Sequence, residues 1–374
     1  MAKGAYVGVG GVARKVKKIY IGVGGVARKV KKGYIGVGGV ARLFFTSEPL
    51  YAGTAAPLSV ARAYLAGASN AYYAAFASGS IGLTDIGNVD YYDAKLVKGL
   101  LTSPNAGYAC HHLEGAGNGS YVIFAGGTTS DLSDTLSSIT AFNTSMTRFI
   151  NAPTLYQSVY GHSALSFGYL AIFIGGWRYT DSRTDQSHAL NAIDTSMVNH
   201  YNNYGLPLQR SSLGSARTNN YAIFAGGSVT VGSGTDVVDA YNSSLARAVP
   251  AKLPSAANTL TGATAGGYAV FINGPMAVAY DDSLVQHILA SPASYMIMAE
   301  SASVDKYAIF AGGSDGNNAI NNVLMYDDSL VASYASLVSA TRSGASAVIG
   351  NHALFAGGIN SANVKLDLVQ VFNV

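Results

Sequence analysis

"YAIFAGG" stands at Tyr221–Gly227 and again, letter for letter, at Tyr307–Gly313. Each copy is a short apolar run of strand-forming residues closed by two glycines, a strand followed by a turn that needs unusual backbone angles. Read outward along the chain, the phrase recurs as "YVIFAGG" from Tyr121, "YLAIFIGG" from Tyr169 and "HALFAGG" from His352, and more loosely as "YAVFING" from Tyr268 and "YYAAFASG" from Tyr72. The closing glycines Gly79, Gly127, Gly176, Gly227, Gly274, Gly313 and Gly358 lie 39 to 51 residues apart. Self-similarity at such a period marks a repeat architecture.

A second phrase follows the first six copies: "VDYYDAKLV", "ITAFNTSMT", "LNAIDTSMV", "VDAYNSSLA", "AVAYDDSLV" and "VLMYDDSLV"; the seventh repeat ends in a truncated "LVQVFNV". Each is a β-rich run entering an Asp/Asn-Ser/Thr turn. A unit of about 47 residues holding three or four short strands predicts the blade of an all-β propeller, here with seven blades. Composition agrees. Only 11% of residues are charged, while glycine is abundant at 44 of 374, which suits closely packed strands with small side chains.

The repeat resembles the kelch family: an apolar strand, a Gly-Gly pair, a Tyr-Asp strand, then a loop and a small-residue strand. The resemblance covers the chain from about residue 46 to its end and implies a seven-bladed kelch-like β-propeller. One element departs from it. The tryptophan that the family places after the Tyr-Asp turn is replaced by residues such as Tyr201, Ile288 and Tyr334. Because the seventh repeat lacks its outermost strand, we expect "ARLFFTSEPL" at Ala41–Leu50 to pair with the last blade and close the ring, so that Phe44→Asp would loosen the whole propeller.

Residues 1–45 are of another kind. "YVGVGGVARKVKKIYIGVGGVARKVKKGYIGVGGVARLFF" repeats a basic, glycine-centred phrase three times, with ten Lys and Arg and no acidic residue up to residue 42. The remainder carries 13 basic and 20 acidic residues, a net charge of −7. Gly-Gly between two short β runs predicts three β-hairpins. The basic positions Arg14, Lys15, Lys17, Lys18, Arg28, Lys29, Lys31 and Lys32 admit polyanion binding, a solvated spacer, or an assembly module. We take the third reading, in which the arm also brings copies together as a homo-oligomer, and treat nucleic acid as the lesser one. It rests on a resemblance of the tandem "YIGVGGVARKVKK" units to the N-terminal segments of virion structural (tail) proteins of phages and prophages of gut Firmicutes.

In kelch-like blades the loop after Gly-Gly and the loop between blades share one face, the usual binding face. The longest post-glycine loop, "GGWRYTDSRTDQSHALNA", holds the only tryptophan, Trp177, with Arg178, Tyr179 and Arg183. Those types are enriched at binding hot spots and suit sugar stacking; the competing reading has Trp177 plugging a gap between blades. Repeat five has almost no loop there, which makes the face lopsided toward repeats two to four.

"YACHHLEG" at Tyr108 raises a metal question. Cys110, His111 and His112 would alternate along a strand, so at most two share a face, and two ligands do not make a zinc site; His162 sits at a comparable place one repeat later. No metal or cofactor is expected. Copper radical oxidases with such propellers need a Cys-Tyr crosslink plus histidine ligands, and sialidases need several Trp-containing boxes, so neither matches. The paired acids Asp281/Asp282 and Asp327/Asp328 recur at the same turn, as scaffold does.

The single cysteine excludes an intramolecular disulfide. No signal peptide or membrane-spanning run is read. The expectation is a non-enzymatic virion or appendage protein, made in the cytoplasm, whose arm docks on other particle proteins and whose propeller meets a host-surface glycan or protein. An intracellular kelch-like adaptor and a carbohydrate-active enzyme are the alternatives.

Overall fold

The computed structural model describes the chain except residues 1–5, 10, 11, 17, 18, 24, 25, 31, 38, 39, 47, 103–105, 131–133, 181 and 182. Seven antiparallel sheets form the ring, and among the described residues there is no helix. Blade 1 is Ala66–Ser69, Ala74–Ala77, Val89–Tyr92 and Lys98–Leu101, numbered outward from the axis. The inner strands of the other six are Glu114–Gly117, Ser163–Phe167, Gly214–Arg217, Thr261–Ala265, Glu300–Val304 and Ala345–Ile349. Each touches the inner strands on either side, so together they wall the central channel.

Such a narrow ring requires small inner residues. A Cβ on Gly117 would fall 1.8 Å from the Ser69 carbonyl oxygen of the preceding blade, so only glycine lets the two backbones approach. Serine and threonine hydroxyls then tie neighbours together: the Gly117 N–H donates to Ser166 Oγ (2.8 Å), Val348 N–H to Ser69 Oγ (2.9 Å) and Thr264 N–H to Ser303 Oγ (2.8 Å). The second strand of each blade is buried at both faces, as Ala222–Ala225 illustrates, which is why it reads as an unbroken apolar run rather than an alternating one.

The recurrent glycine has a single task. In all seven blades its N–H donates at 2.8–2.9 Å to a carbonyl in the loop that leads into the next blade, from Gly79 to Cys110 round to Gly358 to Arg62. The Tyr-Asp phrase serves the same joint. Tyr92 and Tyr280 are buried and donate their hydroxyls to Ala56 O and Ala251 O, each in the loop preceding its own blade, both at 2.8 Å. The Asp or Asn that follows folds the turn: Asp93, Asn143, Asp194, Asn242, Asp281 and Asp327 each accept from the N–H groups two and four residues on. Asp281 and Asp327 are therefore turn-makers, as their recurrence implied.

The ring closes one strand later than expected. Leu50–Thr54 pairs antiparallel with Val369–Asn373 as the outer strand of blade 7, from Leu50↔Asn373 to Thr54↔Gln370. Ala41–Thr46 belongs instead to the arm, in the strand Val40–Thr46 that pairs with Lys32–Val37. The correction follows from the pairing itself: Val40–Thr46 is the second strand of the third hairpin, whereas the outer edge of blade 7 is taken by Leu50–Thr54. Phe44 thus lies on the arm's strand and not on the closing one. The other two hairpins pair Tyr6–Val9 with Val12–Lys15 and Tyr20–Val23 with Val26–Lys29. Arg14, Lys15, Arg28, Lys29 and Lys32 lie on these strands; Lys17, Lys18 and Lys31 lie outside the described residues.

Candidate functional site

The loop entering each inner strand approaches the axis on the face where the Gly-Gly turns lie. Six of these loops place a residue in the left-handed region just before the strand: Tyr64, His112, Gly161, Ser212, Met298 and Ser343, with φ between 52° and 57°. Five of them form a head-to-tail rim. Tyr64 N–H donates to Ser343 O (2.8 Å), His112 N–H to Tyr64 O (3.1 Å), Gly161 N–H to His112 O (3.2 Å) and Ser212 N–H to Gly161 O (2.9 Å). This rim borders, on the side of blades 7 and 1 to 4, the mouth of a cavity of about 770 Å3 on the channel axis, a size typical of small-molecule sites.

The cavity has two unlike walls. Toward blades 3 to 7 it is lined by hydroxyls, among them Ser163, Ser212, Thr261, Ser301 and Ser343, while toward blades 1 and 2 stand Tyr64 and His112. Their rings pack at 4.6 Å, and the aromatic surface continues from His112 to Tyr160 (6.3 Å) and from Tyr160 to Tyr179 (5.5 Å, stacked within 12°). The Tyr160 hydroxyl reaches that of Tyr179 at 3.5 Å, and burial with this contact raises the Tyr160 pKa.

Burial shifts two histidines and two carboxyls here toward their neutral forms, while the Arg342 guanidinium also lines the cavity. It pushes Glu114 on the cavity wall up to about 8, and Glu300 also to about 8 although Glu300 Oε1 accepts the Gly344 N–H at 2.7 Å. It lowers His112 to about 4, with His111 beside it adding to the effect. His162 is only 3% exposed, neither ring nitrogen has a hydrogen-bond partner, and its pKa falls to about 3. The reason is positional: His162 occupies the place filled by Leu65, Leu113, Leu213 and Leu260 in four other blades, and it packs against Phe173 and Gly126.

The predicted residues distribute unevenly over this site. Trp177–Thr180 and Arg183–Gln186 form a hairpin above blade 3, with register Trp177↔Gln186 and Tyr179↔Thr184. Trp177 and Tyr179 share the face of Gln186, which is buried and donates to Ser228 O at 2.7 Å, so that face turns toward the ring. Trp177 is half-buried beside Gly161, and its backbone bridges Tyr160. Arg178 pairs in register with Asp185 and belongs to the other face; Arg183 lends its backbone to the hairpin, and its side chain lies outside the described residues. The hairpin therefore sets Trp177 beside Gly161 on the rim and Tyr179 against Tyr160, and it puts Arg178 on the opposite face.

Cys110, His111 and His112 do not alternate along a strand but occupy the loop before Glu114–Gly117. Cys110 is buried with its thiol pushed up to about 12, and His111 Nδ1 is bound to Asp85 Oδ1 at 3.0 Å. His162 is offset by one position from His112, whose counterpart is Gly161. Among the described residues no three His, Cys, Asp or Glu side chains cluster as metal ligands. Tyr64, His112 and Tyr160 went unnoticed as a set because they belong to no motif. Aligning "YLAGAS", "HLEGAG", "SLGSAR" and "TLTGAT" on the shared leucine would have put Tyr64, His112, Ser212 and Thr259 in one column.

No family model matches the chain. No curated protein matches it either. Among solved structures it is similar to one entitled "Structure of YjhT", with a TM-score of 0.55 at 12% identity over 86% of this chain and 97% of that one. At that identity the likeness establishes the propeller fold and nothing further. No helix is long and apolar enough to cross a membrane among the described residues.

Proposed function

We propose that the protein is a non-enzymatic binding protein whose channel mouth holds a glycan, and that it serves as a virion or appendage component anchored by its basic arm. One observation carries the reading: Tyr64 and His112 line a cavity rich in hydroxyls, and a chain of ring contacts runs on from His112 to Tyr160 and Tyr179 beside it. Sugars present an apolar ring face and a rim of hydroxyls, and this pair of walls is complementary to both. The polarity of the chain supports the anchoring half. The arm joins the ring at Leu50, which pairs with Asn373 at the end of blade 7 away from the Gly-Gly turns, so anchor and mouth lie on opposite faces. Several copies on one particle would turn modest single-site affinity into firm attachment.

The test is binding of the full chain to immobilised bacterial surface glycans and to intact cells, with Tyr179→Ala beside wild type. A loss of about tenfold with an unchanged melting curve is expected, the size of one lost aromatic contact. Equal binding by the variant refutes the mouth as the site. For the arm, reversing the charge of Lys15 and Lys29 should block incorporation into particles, and normal incorporation excludes electrostatic docking.

A second reading, a glycan-processing enzyme, is favoured by Glu114, a carboxyl on the cavity wall whose pKa is raised by burial. Hydrolysis at a glycosidic bond needs an ionised partner carboxylate beside such an acid. The other buried carboxyl of the inner strands, Glu300, sits on blade 6 rather than blade 2 and is itself neutral, which weighs against this reading. Release of shortened sugars during the binding assay would favour it.

A further inference from the structure

The mouth has a gap. In six blades the residue ahead of the left-handed position bridges the first residue after the Gly-Gly turn: Ala63↔Ser80, His111↔Thr128, Tyr160↔Trp177, Ser211↔Ser228, Ile297↔Ser314 and Arg342↔Ile359. Each bridge lifts the post-glycine loop into a wall. Blade 5 lacks it because the residue after Gly274 is Pro275, which has no N–H to give. There the second strand turns straight into the third, with Asn273↔Met276 in register, and no loop rises. The head-to-tail rim of backbone bonds runs from blade 7 through blade 4 and includes neither blade 5 nor blade 6, and of these two only blade 5 also lacks the bridge.

The gap is neither random in position nor bare. In a ring of seven, the point across from the junction of blades 1 and 2 is blade 5, so the opening faces the Tyr64–His112 pair directly. On its floor lies Tyr295, whose ring sits over the tight turn, close enough that a Cβ on Gly274 would stand 2.7 Å from Cε2. Tyr295 is 50% exposed, and Met298, which lines the cavity just inside it, is 54% exposed. A half-exposed aromatic ring at this low point of the wall is a place to stack a sugar outside the cavity.

We infer that the opening at blade 5 is an exit for the ligand chain, so that the mouth takes a linear polysaccharide running from the Tyr64–His112 wall across the cavity and out over Tyr295. This rests on the glycan reading above and narrows it: a terminal sugar needs only a closed mouth, whereas a chain needs a way out.

The experiment is fluorescence titration of the full protein with chito-oligosaccharides and malto-oligosaccharides, each of two and of six sugars. In the series that binds, the six-sugar ligand should bind about tenfold tighter than the two-sugar one. Tyr295→Ala should remove most of that difference while leaving two-sugar binding alone; a general loss of structure would weaken both. A second variant, in which the blade 4 loop Ser228–Thr235 replaces Asn273–Met276 to wall up the gap, should likewise abolish the length dependence. Binding of both lengths with equal affinity overturns the exit and leaves the glycan site standing. Binding of neither series overturns the exit and counts against the glycan site, which the Tyr179→Ala test decides separately.

Discussion

Glu300→Gln should make the protein more stable at alkaline pH and change little at acid pH. Glu300 is 8% exposed, accepts one N–H from Gly344, and leaves Oε2 without a partner. Burial raises its pKa from 4.5 to about 8. Between those values the folded protein binds a proton that the unfolded chain has released, so stability falls as pH rises and levels off once Glu300 ionises in the fold. At about 1.4 kcal/mol per unit, wild type loses about 4 kcal/mol from this group between pH 4.5 and pH 9. Glutamine keeps the carbonyl that accepts from Gly344, matches the neutral acid in shape, and carries no titrating proton. Thermal melts of both proteins across that range should start together and diverge, with the variant ahead by roughly 5 to 10 °C at pH 9. Parallel curves would mean that the carboxyl is already ionised in the fold, and the argument from burial would be wrong.

Two further outcomes probe how the ring is held. Tyr51 lies on the closing strand and packs edge-on against Phe372 at 5.6 Å, so Tyr51→Asp should cost about 2–4 kcal/mol while Phe44→Asp leaves the propeller's melting unchanged; the reverse order would restore the closure expected from sequence. Asp90 is buried against Arg62 at 2.8 Å and also receives Lys98 at 2.8 Å, so Asp90→Asn strands a fully buried guanidinium and should cost about 3–5 kcal/mol by chemical denaturation; a loss below about 1 kcal/mol would show that Arg62 finds water instead.

What could be read in the sequence is what every blade must do alike. The Gly-Gly turn recurs because each copy passes an N–H to the next blade, and the Asp-Ser turn because each carboxylate or amide folds the same two N–H groups. Repetition makes such constraints visible, so the blade count and the scaffold role of Asp281 and Asp327 followed directly. The closing strand was misplaced because Leu50–Thr54 occurs once and Val40–Thr46 is an equally good strand; only the pairing of the third hairpin decides between them. The sequence alone presents the four residues of the blade 3 loop as one patch, but a hairpin alternates its faces and separates Trp177 and Tyr179 from Arg178.

The parts that differ between blades carry the function proposed here, for a physical reason. A sevenfold ring with identical loops would have a symmetric mouth, and a symmetric mouth cannot orient an asymmetric ligand. Tyr64 and His112 stand where Ser212 and Ser343 stand in other blades, His162 where leucine stands, and Pro275 where a bridging residue stands. Each exchange leaves the inter-blade joint intact, because that joint uses the glycine N–H and a backbone carbonyl rather than these side chains. The scaffold therefore tolerates variation at the mouth at little cost in stability, and a wall, a floor and an opening have been placed there without disturbing the bonds that close the ring.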